Sequence, residues 1–387
     1  MKILIATDVY MPVINGVVIS TFNLYEQLKL RGHEVRILTL SSNRSSKKEG
    51  DIYYVGSFPV RVYPQARMTV KPFHHYIKEL IQWKPDIIHT QSEFTVCVYA
   101  RQIANKADVP MVHTYHTMYE DYTHYLFPSK RVGKKAVAIM SRYTLSKAEE
   151  VIVPTNKVMG ALKSYGVKSD IVEIPTGIKL DKFSVPLEDE EKKTILKSLG
   201  ISEADRILVT IGRLGKEKNI HELIDLMKPL SQHMDHIKLV IVGDGPLRRE
   251  LEDQVKRLGL EKLVLFTGMV PQGDVQKYYH LGHVFISAST SETQGLTYIE
   301  AMASGLPLIC RKDDCLVDVV DEGVNGYTFE DRKEFMEKVE RIFSDEENLI
   351  KFKENALAKA QKFSVEEFGR QVEEVYSRVV ERKKNQS

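Results

Sequence analysis

Cysteine is scarce: Cys97, Cys310 and Cys315 are the three in 387 residues, too scattered for a disulfide framework or a zinc site. That scarcity fits a reducing cytoplasm. Long apolar runs are missing too. The N-terminal MKILIATDVYMP, a short β-like run closed by an aspartate, is expected to be neither a signal peptide nor a membrane span. There is no GxxxxGK[ST] loop, and no GxGxxG follows the first apolar run. Both absences count against ATPases and dinucleotide oxidoreductases.

What is present is ordinary in amount and informative in order. Hydrophobic content of 43% and charged content of 28% suit a globular protein. The length is about two to three times that of a single-core domain, so two domains are expected. Apolar runs at 2–8, 34–40, 86–91, 110–116 and 150–155 alternate with helical patterns such as 17–31. A stretch with two prolines and a glycine, IPTGIKLDKFSVP (174–186), then reads as a connector. Beyond it, runs at 206–212, 238–245, 263–268, 283–289 and 306–311 restart the alternation. Strand–helix alternation gives parallel sheets. The expected fold is therefore α/β, with two Rossmann-like doubly wound domains at 1–178 and 179–363. A charged helical segment, 364–387, is expected to cross back to the first. Ligands of such sheets bind beyond the carboxyl ends of the strands, so the cleft between the two halves is the expected site.

The net charge of +2 conceals an asymmetry. Residues 1–180 carry 24 Lys+Arg against 15 Asp+Glu, a surplus of 9; the remainder carries 31 against 38, a deficit of 7. A basic first half suggests a polyanionic partner, nucleic acid or an anionic membrane face, or simply uneven surface charge.

Several loops carry phosphate chemistry. Asn15-Gly16 precedes a helix, where a glycine lets amides approach an anion, although a plain tight turn is the better account of the pair taken alone. After the strand RILVTIG come Arg213 and Lys218, a guanidinium fork and a mobile ammonium suited to a diphosphate leaving group, or else a solvated basic turn. In SETQGLTYIEAMASGLP (291–307), Glu292 and Glu300 stand eight positions apart. A glycosidase pair would need a separation of about 5–9.5 Å with one acid, and would leave the phosphate features without a use.

Together, GRLGKEKN, VGDGPLRREL, SETQGLTYIEAMASGLP and VNGYTF resemble the retaining glycosyltransferases of family four, in order and over nearly the whole chain. That resemblance implies the GT-B fold, two facing Rossmann-like domains, and a nucleotide-sugar donor. It places Glu292 on the donor sugar, Glu300 on the ribose diol, and Arg213 and Lys218 on the diphosphate. Gly16 becomes the phosphate-loop glycine, and the Met269-Val270 backbone lies along the nucleobase. If Gly295 opens a helix, its amide and those of Leu296 and Thr297 face the pyrophosphate. Eight helical residues would separate the two carboxylates by about 12 Å.

His116, in HTYHTMYEDYTHY, resembles the family's cleft histidine beside sugar and acceptor. His116, Glu292, Arg213 and Lys218 form the expected catalytic set. His113, Glu120 and His124 also invite a metal reading, but an aromatic sugar or acceptor wall suits the tyrosines better, and no DxD-like site is evident. No cofactor or metal is expected, and the implied mechanism is front-face attack in which the leaving diphosphate takes the acceptor's proton.

SKRVGKKAVAIMSRYTLSK (129–147) has helical periodicity. Val132, Ala136, Ile139, Met140 and Tyr143 share one face; Lys130, Arg131, Lys134, Lys135 and Arg142 supply the basic character. Such a helix can lie on an anionic bilayer, or face a core with a solvated basic side. Residues 66–83, basic and aromatic, extend that surface. The region most resembles bacterial glucosyltransferases acting on diacylglycerol. The expectation is UDP-glucose as donor and 1,2-diacylglycerol as acceptor, in a cytoplasmic protein held at the inner face of the cell membrane, without nucleic acid. A soluble or polymer-linked acceptor, a nucleotide-sugar-binding regulator and an epimerase are the other readings.

Overall fold

The structure is a computed structural model. It describes all residues except 14, 61–66, 70–73, 121–128, 272 and 387, and for 130 and 386 the backbone alone. The chain forms two compact units, Met1–Gly177 with Val365–Ser387, and Ile178–Ser364.

The first unit is built on β1 (Lys2–Ala6), α1 (Gly16–Leu30), β2 (Glu34–Leu40), β3 (Lys47–Glu49), β4 (Ile52–Val55) and the small pair β5 (Phe58–Pro59) and β6 (Arg67–Met68). It continues with α2 (His75–Trp83), β7 (Ile87–Thr90), α3 (Thr95–Ala107), β8 (Met111–Thr114), α4 (Lys130–Leu145), β9 (Glu150–Val153), α5 (Asn156–Tyr165) and β10 (Asp170–Glu173). Its main sheet runs β10-β9-β8-β7-β1-β2-β4-β3, parallel except for the β3–β4 pair. Ile3 is registered with Val35 on one side and Ile87 on the other. Strands β1, β7, β8 and β9 are buried throughout or nearly so, which explains their continuous apolar runs. Strands β3, β4 and β10 escape the sequence pattern because they are short, lie at or beside the edges, and carry charge or partial exposure.

The C-terminal helix, Val365–Gln386, belongs to this first unit. Phe368, Val372, Val375, Tyr376 and Val379, at helical spacing, pack among Leu24, Leu28, Val35 and Ile37. Its Arg378 pairs with the buried Glu150.

In the second unit the connector does more than link. It forms the short α6 (Asp181–Ser184), and Leu180 and Phe183 are buried in this unit's own core. Then follow α7 (Asp189–Leu199), β11 (Arg206–Ile211), α8 (Ile220–His233), β12 (Ile237–Val242), α9 (Arg248–Leu258), β13 (Val264–Gly268) and α10 (Val275–Leu281). The remainder is β14 (Val284–Ser287), α11 (Leu296–Ala303), β15 (Leu308–Arg311), β16 (Gly326–Phe329), α12 (Arg332–Ile342) and α13 (Glu346–Ala360). The sheet is parallel, in the order β13-β12-β11-β14-β15-β16. Leu208 pairs with Leu239 and with Val284, so the strand order reverses between β11 and β14. In the first unit it reverses between β1 and β7. These switch points are where doubly wound sheets open a crevice for ligands.

Candidate active site

The loops that follow β11 and β14, on either side of the second unit's switch point, carry the residues singled out above. After β11 the chain turns through Arg213 and Leu214 into a single 3₁₀ turn, Lys216–Lys218. The loop after β12 braces it from below. Gly243 has φ 127°, and a Cβ there would collide with the Gly212 carbonyl. Asn219, also left-handed at φ 50°, ties this turn across the switch by donating to Glu222 at 2.6 Å and to the Ala288 carbonyl at 3.4 Å. Lys218 is thereby delivered to the Glu292 carboxylate, with which it forms a hydrogen-bonded ion pair. Ser289 Oγ lies 2.8 Å from the same Glu292 oxygen. The Arg213 guanidinium stays largely exposed, 3.9 Å from Glu217. Gly212, Arg213, Lys218, Ser287 and Thr297 line one pocket at this end of the sheet.

Gly295 does open a helix. It is the N-cap of α11 with φ 73°, and any Cβ would strike the Tyr298 ring, so glycine is required twice over. No side chain caps the first turn of α11 and no acidic residue sits in it, which leaves the first amides of the helix, at Leu296 and Thr297, for an anion. The 12 Å expectation needs correcting, because Ser291–Gln294 is not helical: Glu292 lies in the loop and Glu300 is the fifth residue of α11.

Glu300 is held apart from Glu292 in chemistry as well. The Tyr279 hydroxyl donates to its Oε2 at 2.8 Å. Burial pushes its carboxyl above the ordinary value of 4.5, against the lowering effects of that hydrogen bond and of Lys182. A half-buried carboxylate with one oxygen committed to a phenol is a strong acceptor for a vicinal diol. Neither Tyr279 nor Lys182 was singled out in the sequence; a tyrosine one turn from a helix end and a lysine in a connector give no local signal. Val270 packs on the core of this unit while Met269 is exposed, so the 269–270 segment offers backbone as well as one apolar side chain.

In the first unit, Gly16 is the first residue of α1, and the Asn15 side chain accepts from the Val18 amide as the N-cap. His116 follows β8, and its Nε2 is 2.6 Å from Gln91 Oε1, on the loop after β7. Burial, then His113, pushes the His116 ring down to about 3, so it is neutral in the working range. His113 meets Thr90 at 2.7 Å and Glu93 at 3.4 Å, while Glu120 takes the Tyr165 hydroxyl at 2.7 Å and Lys134 at 3.1 Å. These groups turn to separate partners, and the described residues hold no cluster of three or more metal-ligating side chains. His124 lies outside the described residues. Asp8, in the loop after β1, gave no signal in the sequence. Its carboxylate accepts from the Val96 amide at 2.9 Å and the Phe94 amide at 3.3 Å, serving as the cap of α3, and burial raises it to about 6.

Helix α4 turns a different side to the core than its apolar stripe suggests. Gly133, Val137, Ser141, Thr144 and Leu145 are buried, while Val132, Ile139 and Tyr143 are 52%, 60% and 71% exposed. Gly133 and two hydroxylated residues thus share the core face with Val137 and Leu145, while Val132, Ile139 and Tyr143 face outward. Arg131, Lys134 and Lys135 are exposed beside them. Arg142 is instead engaged with the Tyr165 carbonyl at 2.7 Å, and the Lys130 side chain lies outside the described residues. From α3, Arg101 stacks 4.9 Å over the Tyr143 ring, and Val98 on that helix and Phe94 just before it are exposed at helical spacing. Of the 66–83 segment, 66 and 70–73 lie outside the described residues, and Trp83, Ile77 and Leu80 are core. No described helix is long and apolar enough to cross a membrane.

Two doubly wound units, one carrying a basic loop, a carboxylate pair and an open helix end at its switch point, define a glycosyltransferase of the GT-B class. The chain belongs to glycosyltransferase family four: residues 14–182 match the model described as Glycosyltransferase Family 4, and 191–359 the model of Glycosyl transferases group 1. It is 33% identical over 380 residues to the alpha-monoglucosyldiacylglycerol synthase of Streptococcus pneumoniae, covering 97% of this chain and 85% of that protein. To the protein of the same name from Acholeplasma laidlawii it is 31% identical, covering 99% and 98%. Among solved structures, Anabaena HepE in complex with UDP matches at a TM-score of 0.76 and 19% identity, over 97% of this chain and 100% of that one. Sucrose-phosphate synthase from Thermosynechococcus elongatus matches at 0.72 and 20%, over 98% of each. The GT-B fold and the family read from the motifs both hold.

Proposed function

We propose that this glycosyltransferase moves glucose from UDP-glucose to the free hydroxyl of 1,2-diacylglycerol with retention, giving an α-glucosyl lipid. The observation that carries this reading is identity sustained over nearly the entire chain with two synthases named for that product. The second unit takes the donor. Glu300 accepts from the ribose diol, the Leu296 and Thr297 amides and Arg213 meet the diphosphate, and Lys218 exchanges its Glu292 partner for phosphate oxygen. Glu292 is then released to the sugar hydroxyls. The leaving diphosphate, stabilised by Arg213 and Lys218, takes the acceptor's proton on the face where the new bond forms, so no protein carboxylate serves as nucleophile. The reading requires no metal or other cofactor.

The first unit takes the acceptor, at an anionic bilayer on the cytoplasmic side. Support comes from the outward stripe of Val132, Ile139 and Tyr143 flanked by Arg131, Lys134 and Lys135. A panel of donors against diacylglycerol, soluble sugars and polymer-linked acceptors, read by product mass spectrometry and anomeric NMR, tests the proposal. An α-glucosyl diacylglycerol formed from UDP-glucose is expected. Transfer to a soluble acceptor alone, or epimerised nucleotide sugar without transfer, would overturn it.

A further inference from the structure

A chain of four side chains in the first unit ends on His116. Tyr376, on the C-terminal helix, is fully buried, and its hydroxyl is 2.6 Å from His89 Nδ1 on β7. His89 Nε2 is 2.7 Å from Thr114 Oγ1 and 3.1 Å from Gln91 Nε2. Gln91 Oε1 is 2.6 Å from His116 Nε2. The Gln91 backbone is itself fixed, its amide donating to the Ala6 carbonyl at 2.8 Å. Gln91, His89 and Thr114 are all at most 3% exposed.

An amide oxygen only accepts and an amide nitrogen only donates. Gln91 Oε1 therefore requires the proton of His116 on Nε2, and Gln91 Nε2 requires a lone pair on His89 Nε2. His89 then carries its proton on Nδ1 and donates it to the Tyr376 oxygen, and its single Nε2 lone pair is shared between the Gln91 amide and the Thr114 hydroxyl. Every donor points toward the C-terminal helix. Both rings are held neutral, His89 by burial and then by His113 and His116, so each has one proton to place. Among the described residues no partner meets His116 Nδ1.

We infer that Gln91 is a positioning residue: backed by His89 and Tyr376, it commits Nε2 of His116 and presents Nδ1, as a lone pair, to a hydroxyl of the bound sugar or acceptor. The inference rests on the reading of His116 as the histidine beside those substrates. A cationic role for His116 is thereby disfavoured in favour of hydrogen-bond acceptance from a hydroxyl. The same bonds join the far end of the chain to this histidine.

The test uses full-length protein labelled with ¹⁵N-histidine, its His116 signals assigned by difference with His116→Gln. The neutral Nε2–H tautomer is expected for His116 at pH 7.5. The Nδ1–H tautomer, which the opposite Gln91 orientation would impose, overturns the inference. Gln91→Leu should mix the two tautomers and lower kcat about tenfold to a hundredfold, with donor KM within threefold of the parent. Gln91→Glu, whose carboxylate still accepts, should keep kcat within about fivefold at pH 8, where an imidazolium beside the new charge is least populated. Unchanged kcat in Gln91→Leu, or Gln91→Glu as impaired as Gln91→Leu, rejects the positioning role. Tyr376→Phe should also mix the tautomers, and an unmixed spectrum removes the C-terminal helix from the relay. Should His116→Ala keep full activity while the tautomers behave as described, the role of His116 in transfer falls and the relay remains.

Discussion

The Lys218 ammonium rests on the Glu292 carboxylate, and Ser289 addresses the same oxygen. Both partners are mostly buried, so the pair is worth more than a surface contact and its rupture must be compensated by phosphate. In the proposed donor complex a diphosphate draws Lys218 away, and the sugar takes the carboxylate that Lys218 leaves behind. Glu292→Ala should therefore bind UDP as well as the parent or up to about threefold tighter, yet turn over UDP-glucose at least about a hundredfold more slowly. Calorimetry with UDP and initial rates with UDP-glucose separate the two effects. A tenfold loss of UDP affinity in Glu292→Ala would sink the exchange.

Glu300 should make donor affinity pH-dependent. Burial holds its pKa above 4.5, and hydroxyl donors from a ribose favour the ionised form. As pH falls through that raised value, the carboxyl takes up a proton and loses acceptor capacity, so UDP binding weakens on the acid side and releases protons there. Glu300→Gln should bind UDP about thirtyfold to a hundredfold more weakly at neutral pH and lose the acid-side dependence. Calorimetry in buffers of differing ionisation enthalpy checks this, and a Glu300→Gln curve parallel to the parent's would refute it.

Most of the site's outline was legible because it is local. Gly295 precedes a helix whose start depends on it and which carries Glu300, and Arg213, Lys218 and Glu292 sit in loops that follow strands. The partners of those residues were not legible, because they come from elsewhere in the chain. Tyr279 reaches Glu300 from α10, and Gln91 reaches His116 from the loop after another strand. Fold class was legible from buried parallel strands, whereas edge strands such as Asp170–Glu173 lack the apolar run that marks the others. Helix α4 is the instructive misfit. Periodicity identified an apolar stripe but could not say that a second face, built of Gly133, Val137 and Ser141, packs inward instead.

Asp8 gives a stability test with a defined sign. Its folded pKa is about 6 against an ordinary 3.8, because burial outweighs the amides it accepts from. The folded state therefore binds a proton more than the unfolded state between those values. The stability linked to that proton is fully present below 3.8 and is lost as pH rises through 6, about 3 kcal/mol at most. Asp8→Asn cannot ionise, but it also presents an N–H group to one of two backbone donors. It should be destabilised at pH 4 and recover relative to the parent by pH 8. Urea unfolding of the first unit's signals across that range reads the crossing of the two curves. Parallel curves would mean that Asp8 stays charged in the folded protein.

The outward face of α4 allows charge and apolar contact to be tested separately against a bilayer. Lys134, although paired with Glu120, and Lys135 are exposed, and each basic group near an anionic surface contributes about 1 kcal/mol. Lys134→Gln with Lys135→Gln should weaken binding to vesicles of phosphatidylglycerol and phosphatidylcholine about thirtyfold, with no change on phosphatidylcholine alone. Ile139→Asp removes an exposed side chain that makes little core contact, so the fold should tolerate it. It should reduce binding to both vesicle types, because insertion of apolar area does not depend on surface charge. Turnover of a short-chain, water-dispersed diacylglycerol should remain near the parent value in both variants, which distinguishes lost docking from lost chemistry. Flotation that is equal for parent and variants on anionic vesicles would show that α4 does not meet the membrane.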